Sequence, residues 1–250
     1  MNPLLLPVGS DEVVCYYAPF EDLSGVKAIL GATLTPGEQL RKMRYREGSA
    51  SARFEFCRGA LRVILARHLG LLPNEFEIIA NEHGKPMLKH ERGRELHFSL
   101  SHSRSHFAIA LAHRPIGVDV EDTGREVDWM SVARRFFSED EHRALAGLSD
   151  DIARRLFFRW WTAKEAVVKA EGFSLAGRIA SLDLSRWIED SPFDVQGNSS
   201  VLRVWSHDNG GAIFALSAPK NLVPRFNYAG LLICELARQF SIRAECHRNV

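Results

Sequence analysis

The 250-residue chain has few cysteines, no excess of one charge sign and no apolar run long enough to span a membrane. Cys15, Cys57, Cys234 and Cys246 are scattered and form no CxxC pair. That excludes a zinc knuckle and a CxxC redox motif, and it suits free thiols in a reducing compartment. Lys and Arg total 32 against 31 Asp and Glu. The basic excess of a general nucleic-acid binder is therefore missing. Leu4–Leu6 is followed by Pro7 and preceded by no basic stretch, unlike a secretory leader. Tyr228–Cys234 is far too short to cross a bilayer. There is no low-complexity segment. These absences predict a cytoplasmic protein with no nucleic-acid or membrane partner. The length allows one large domain or two modest ones.

What is present alternates helix and strand signals. Residues 12–20 suit a strand. Thr35-Pro36-Gly37-Glu38 is a capping box with Pro at the first helical position. A second helix is predicted from Ser51 to His68, stopped by Gly70. Its Arg53, Arg58 and Arg62 are most simply a solvated face; with Arg41 and Lys42 they would instead supply cations to a polyanion. Phe76–Ala80 reads as a strand, and Gly84 and Pro86 hold Lys85 on a stiff turn. Leu96–Ser101 and His106–Ala112 read as a hairpin. Six of the ten histidines fall between His83 and His113, but irregular spacing and strand alternation argue against a metal cluster. His102, between Ser101 and Ser103 at a strand end, suits a phosphate.

Asp128–Phe137 and Ser138–Leu148 read as helices, the second opened by a capping box at Ser138 and Glu141. A long helix follows, capped by Ser149 and ended by Gly172. Strands are expected at Ser181–Trp187, Val201–Trp205 and Ala212–Ser217, and a final helix at Tyr228–Phe240.

Two stretches carry chemistry. In Ile116–Glu121, IGVDVE, strand alternation turns Val118 and Val120 one way and Asp119 and Glu121 the other. Carboxylates roughly 6–7 Å apart repel by about 2–3 kcal/mol at an effective dielectric near 20. Either water screens that face or a hard divalent cation occupies it. In Phe157–Leu175, FFRWWTAKEAVVKAEGFSL, Glu165 and Lys169 share one helix face, a pair worth only ~0.2–0.5 kcal/mol in isolation.

In order and spacing these stretches resemble the Sfp-type 4′-phosphopantetheinyl transferases. The matching runs are Arg53-Phe54 with Arg58, Gly84-Lys85-Pro86, Phe98-Ser99-Leu100-Ser101-His102-Ser103, Ile116–Glu121 and Trp161–Lys169, with forty-odd residues between Asp119 and Trp161. They cover roughly residues 35–175. Two departures stand out: Ser99 replaces the usual Asn, and Gly172-Phe173-Ser174-Leu175 replaces G-x-G-L.

The resemblance implies an α/β (α+β) fold of two similar halves forming a pseudodimer, active as a monomer. It places coenzyme A in the cleft between them. A boundary near Pro115 gives 1–115, carrying the coenzyme A 3′-phosphate and adenosine side, and 116–250, carrying the metal and catalytic carboxylates. The implied reaction moves the phosphopantetheine arm to a serine of an apo acyl or peptidyl carrier protein, releasing 3′,5′-ADP. Asp119, Glu121 and Glu165 resemble the magnesium ligands, and Lys169 would stabilise the leaving group. Lys85, Ser101, His102 and Arg53, assisted by Arg41 or Lys42, would hold the 3′-phosphate end. Glu165 is the candidate base, directly or through a metal-bound water. A nuclease or phosphohydrolase on the same carboxylates is disfavoured: Thr123 and Val167 stand where restriction-type nucleases need lysine. The other alternative is a non-catalytic carrier-binding module.

Overall fold

The computed structural model describes residues 8–45, 48–82, 84–89, 96–172, 178–188 and 191–248. In chain order they form β1 (Glu12–Pro19), α1 (Lys27–Ala32), α2 (Pro36–Met43), α3 (Ser49–Leu69), β2 (Glu77–Ala80), β3 (Pro86–Lys89), β4 (His97–His102) and β5 (His106–Ala112). Then come β6 (Gly117–Asp122), α4 (Trp129–Phe136), α5 (Glu139–Ala146), α6 (Asp150–Glu171), β7 (Phe193–Gln196), β8 (Val201–Asp208), β9 (Ala212–Pro219), β10 (Val223–Tyr228) and α7 (Gly230–Arg248). Leu4–Leu6, Arg46, His83 and the Phe173–Leu175 motif end lie outside the described residues, as does the side chain of Cys246. Among the described residues no helix is long and apolar enough to cross a membrane.

Strand alternation builds the layers. Phe107, Ile109 and Leu111 of β5 enter a core with Leu61, Ile64 and Leu65 of α3. Ala108, Ala110 and Ala112 of the same strand face the other way, onto Val118 and Val120 of β6 and Phe214 and Leu216 of β9. Ile213 and Ala215 of β9 turn to Trp160, Ala163 and Val167 of α6. Two four-stranded sheets, β10-β1-β5-β4 and β6-β9-β8-β7, therefore pack on each other, each with helices on its outer face. The alanine face of β5 lets the sheets approach closely. This is the mixed α/β architecture expected from the sequence.

Both capping boxes form: Thr35 with Glu38, and Ser138 with Glu141. Gly70 and Gly172 end their helices at φ 69° and 79°. Ser149 occupies the N-cap of α6, but its side chain makes no capping hydrogen bond. Two other expectations need correction, and two strands were not expected. Ser181–Trp187 is not a strand. It follows a 3-10 turn at Ile179–Ser181, and the Leu184 amide donates to Glu141 Oε1 instead of to a neighbouring strand. β7 and β10 carry no alternation strong enough to have marked them. The last helix starts at Gly230 because Tyr228 still belongs to β10.

The arginines of α3 also differ from a solvated face. Arg62 is 1% exposed and donates from Nε and Nη2 to Glu38 at 2.6 and 3.0 Å. Arg58 is buried 3.3 Å from the same carboxylate. Glu38, fixed by its capping box, provides the anion that lets both guanidiniums leave water.

The chain crosses between sheets twice. After β6–β9 it returns to the first sheet, where β10 pairs in parallel with β1. Ile233, Leu236 and Phe240 of α7 join the α3 core. The first sheet is thus made of both ends of the chain, and a single cut at Pro115 leaves β10 and α7 apart from the core they complete.

Candidate active site

The site sits where β4, β6 and the last turns of α6 converge. Gly117 opens β6 because a Cβ there would overlap the Ala166 carbonyl oxygen and the Ala170 nitrogen of α6. The missing side chain lets the strand lie directly against the helix, and the next outward positions, Asp119 and Glu121, face it. Ser99 Oγ accepts the Val118 amide at 3.0 Å and so docks β4 onto β6.

Asp119 is 2% exposed. Its Oδ1 accepts from Ser101 Oγ at 2.6 Å and from Lys169 Nζ at 2.6 Å, and Lys169 also reaches Ser101 Oγ at 3.0 Å. Glu165 Oε2 lies 3.9 Å from the same ammonium. Glu121 pairs with Arg125 Nη1 at 3.1 Å and accepts from the Trp161 side chain. Burial, then the charge of Asp119, pushes Glu165 up to about 8 against the pull of Lys169. Burial and Asp119 likewise push Glu121 up to about 7, opposed by Arg125 and Trp161. Two carboxyls are thus held back from ionising by burial and by the neighbouring Asp119 charge, and additional positive charge would relieve them.

That donor set fits a hard divalent cation. Asp119 Oδ2 is buried without a hydrogen-bond partner, and three carboxyls from β6 and α6 interact electrostatically around it. Among the described residues no three His, Cys, Asp or Glu already stand as a metal cage. The Lys169 ammonium occupies Asp119 Oδ1 instead.

Beside this cluster lies a cavity of about 290 Å³ lined by Arg41, Arg53, Phe54, Arg58 and His102, among others. The Arg41 and Arg58 guanidiniums lie 5.5 and 5.8 Å from the Phe54 ring centroid. Burial lowers the His102 pKa, and the positive charges of Arg53 and Lys169 lower it further. The cavity offers fixed cations and an aromatic face, which suits a phosphorylated aromatic ligand.

Arg41, Arg53 and His102 are therefore brought together. Ser101 is not with them: one residue along β4, it faces the opposite way, onto Asp119. Lys42 is paired with Glu55 at 2.7 Å. Lys85 sends its ammonium to the Lys169 and Ile116 carbonyl oxygens at 2.5 and 3.3 Å. Burial, then the Lys169 charge, pulls its pKa down to about 8. Sequence reasoning offered Arg58 only as one of several possible cations and gave Arg125 and Trp161 no role in the site. Arg125 pairs with Glu121 across the turn after β6, where the helical i, i+4 rule gives no signal, and the Arg58 environment depends on a fold-dependent contact with Glu38.

Comparison with known proteins identifies a family. A family model described as the 4′-phosphopantetheinyl transferase superfamily matches residues 115–212. The 4′-phosphopantetheinyl transferase HetI of Nostoc sp. (strain PCC 7120 / SAG 25.82 / UTEX 2576) is 36% identical over 177 residues, covering 70% of this chain and 75% of that protein. The 4′-phosphopantetheinyl transferase AcpT of Escherichia coli (strain K12) is 34% identical over 162 residues, 64% of this chain and 76% of AcpT. The 4′-phosphopantetheinyl transferase psf-1 of Bacillus pumilus is 32% identical over 154 residues, 58% and 64% of the two chains. Matched across three quarters of HetI, with the carboxylates and Lys169 converging as described, the chain belongs to the 4′-phosphopantetheinyl transferase superfamily.

Proposed function

We propose that the protein transfers the 4′-phosphopantetheine arm of coenzyme A to a serine of an apo acyl or peptidyl carrier protein and releases 3′,5′-ADP, with Asp119, Glu121 and Glu165 holding Mg2+. The observation that carries this reading is the convergence of Asp119, Glu165 and Lys169 beside an arginine-lined cavity. The serine oxygen bonds to the phosphorus that carries pantetheine, and the bond from that phosphorus to the bridging oxygen breaks. The bridging oxygen leaves with 3′,5′-ADP. Arg41, Arg53 and His102 bind the 3′-phosphate end and orient the pyrophosphate toward Lys169. The Lys169 ammonium neutralises charge on the departing oxygen. Glu165 accepts the serine proton, directly or through a water. A bound divalent cation supplies further neutralisation of the pyrophosphate.

The two helix-covered sheets support a reading as two halves of an internal pseudodimer, sufficient as a monomer, in which β10 and α7 return across the boundary near Pro115 to complete the first half. Buried free thiols at Cys15, Cys57 and Cys234 support a reducing, cytoplasmic setting.

The test is direct. The protein is mixed with coenzyme A, magnesium chloride and apo carrier proteins of acyl and peptidyl type, and the carriers are weighed by mass spectrometry. A gain of one phosphopantetheine that disappears with chelator is expected. Carriers left unmodified throughout would sink the proposal; transfer that persists with chelator would remove the metal from it.

A further inference from the structure

Lys85 stands on a turn with little freedom. Gly84 takes φ +80°, and the Gly84 amide donates to the Asn81 carbonyl at 2.9 Å. The Lys85 amide donates to Asn81 Oδ1 at 2.8 Å, and the Lys85 carbonyl accepts the Asn81 amide at 2.9 Å. Pro86 then begins β3 with its φ fixed by the ring. The side chain leaves this anchored backbone and crosses to the other sheet's elements. There Nζ donates to the Lys169 carbonyl at 2.5 Å and the Ile116 carbonyl at 3.3 Å.

Those two oxygens belong to the elements that make the site. Lys169 lies in the last turn of α6, where its carbonyl accepts the Gly172 amide at 3.3 Å and the helix dipole favours a cation. Ile116 is the residue before β6. One ammonium therefore fastens the end of α6 to the head of β6. Across that junction, the side chain of the same Lys169 reaches Asp119 at 2.6 Å. Gly84 and Pro86 line the cavity that holds His102 and Arg53, while the Lys85 ammonium between them is spent on backbone.

We infer that Lys85 is a positioning residue for the transfer: its ammonium sets the Lys169 backbone in register with Asp119 and does not bind the 3′-phosphate of coenzyme A. This rests on the transferase reading above. Its geometry predicts a loss in turnover without a loss in ligand affinity, because a displacement of about 1 Å at a reacting group costs on the order of 10²-fold in rate.

The experiment compares wild type, Lys85→Met and Lys85→Arg. Calorimetry with coenzyme A and with dephospho-coenzyme A, which lacks the 3′-phosphate, gives affinities and the fraction of binding-competent protein. Carrier modification gives kcat and KM. Lys85→Met is expected to lose ~10-fold or more in kcat per competent molecule. Its KM for coenzyme A should stay within about twofold, and the ratio of the two ligand affinities should not change. Lys85→Arg, which keeps a charged donor, should recover part of kcat. If Lys85→Met does not fold, Lys85→Gln takes its place.

A merely structural role would lower the competent fraction and leave the corrected kcat at the wild-type value, which overturns the inference. A drop in affinity for coenzyme A but not for dephospho-coenzyme A would make Lys85 a phosphate ligand and overturns it too. Wild type that modifies no carrier would instead remove the transferase reading, and any role of Lys85 in transfer with it.

Discussion

Lys164 Nζ and Glu141 Oε2 meet at 2.7 Å with both side chains wholly out of solvent. Lys164 is the lysine next to Glu165 in the motif of α6, yet it points away from the site. Its ammonium lies 4.6 Å from the Phe137 ring centroid and 3.4 Å from the Phe136 carbonyl. Glu141 also accepts the Ser138 and Leu184 amides at 2.7 and 2.8 Å. One ion pair thus fixes α5 and the 182–187 segment to α6.

Removing the cation alone should be costly. Lys164→Met leaves Glu141 charged and buried, and a loss of about 3–5 kcal/mol in unfolding free energy is expected. Urea unfolding checks it. Lys164→Met with Glu141→Leu should cost less than the sum of the two single changes. A loss below 1 kcal/mol for Lys164→Met would mean that water reaches the pair.

Gly117→Ala forces β6 and α6 apart, since the new methyl meets backbone atoms that cannot rotate away. Overpacking of this kind costs about 1–3 kcal/mol. Because the displacement falls between Asp119 and Glu165, turnover should fall further than the loss of folded protein explains. Wild-type turnover in the folded fraction would place the contact outside the reacting geometry.

Lys169→Met tests the leaving-group role. Single-turnover transfer, followed by mass spectrometry of the carrier, should slow by ~10²–10³, with coenzyme A still bound. A near-wild-type rate would leave the ammonium no part in the chemistry.

The Glu38 carboxyl predicts an acid limb in stability. Burial acts to raise its pKa, but hydrogen bonds from Arg62 and the Thr35 amide, with the charges of Arg62 and Arg58, outweigh that and hold it below the ordinary value of 4.5. As pH falls, the unfolded chain takes up this proton first. The contribution of Glu38 is therefore full above the ordinary carboxylate value and fades below it. Urea unfolding of wild type and Glu38→Gln from neutral pH down to about pH 3 should show a stability gap that narrows with acid. A constant gap would contradict the assignment.

Local signals in the sequence located most elements. The capping boxes at Thr35 and Ser138, the glycine stops at 70 and 172, and the alternation in IGVDVE each act within a few residues. Strand and helix periods put Asp119 beside Glu121 and Glu165 beside Lys169, while the joining of those two pairs into one site was legible only through the family resemblance. The arginines of α3 were not, because Glu38 comes from another helix and only the folded chain brings it to Arg58 and Arg62. Lys85 shows the same limit. Its stiff turn was readable, but the carbonyls it reaches come 31 and 84 residues later. β10 was not legible because Val223–Tyr228 alternates too weakly on its own and is held by pairing with β1 at the far end of the chain.

That pairing governs how the molecule is made. During synthesis β1 leaves the ribosome before the other described strands, and its parallel neighbour, Val223–Tyr228, after them. Until then the first sheet carries an open strand edge, and the surface of α3 that α7 covers faces water. The second sheet meets no such delay, because β6 to β9 and α6 emerge as one uninterrupted stretch. It can therefore mature first, leaving the first sheet and the α3 core to close last, in a step of long sequence separation and correspondingly slow search.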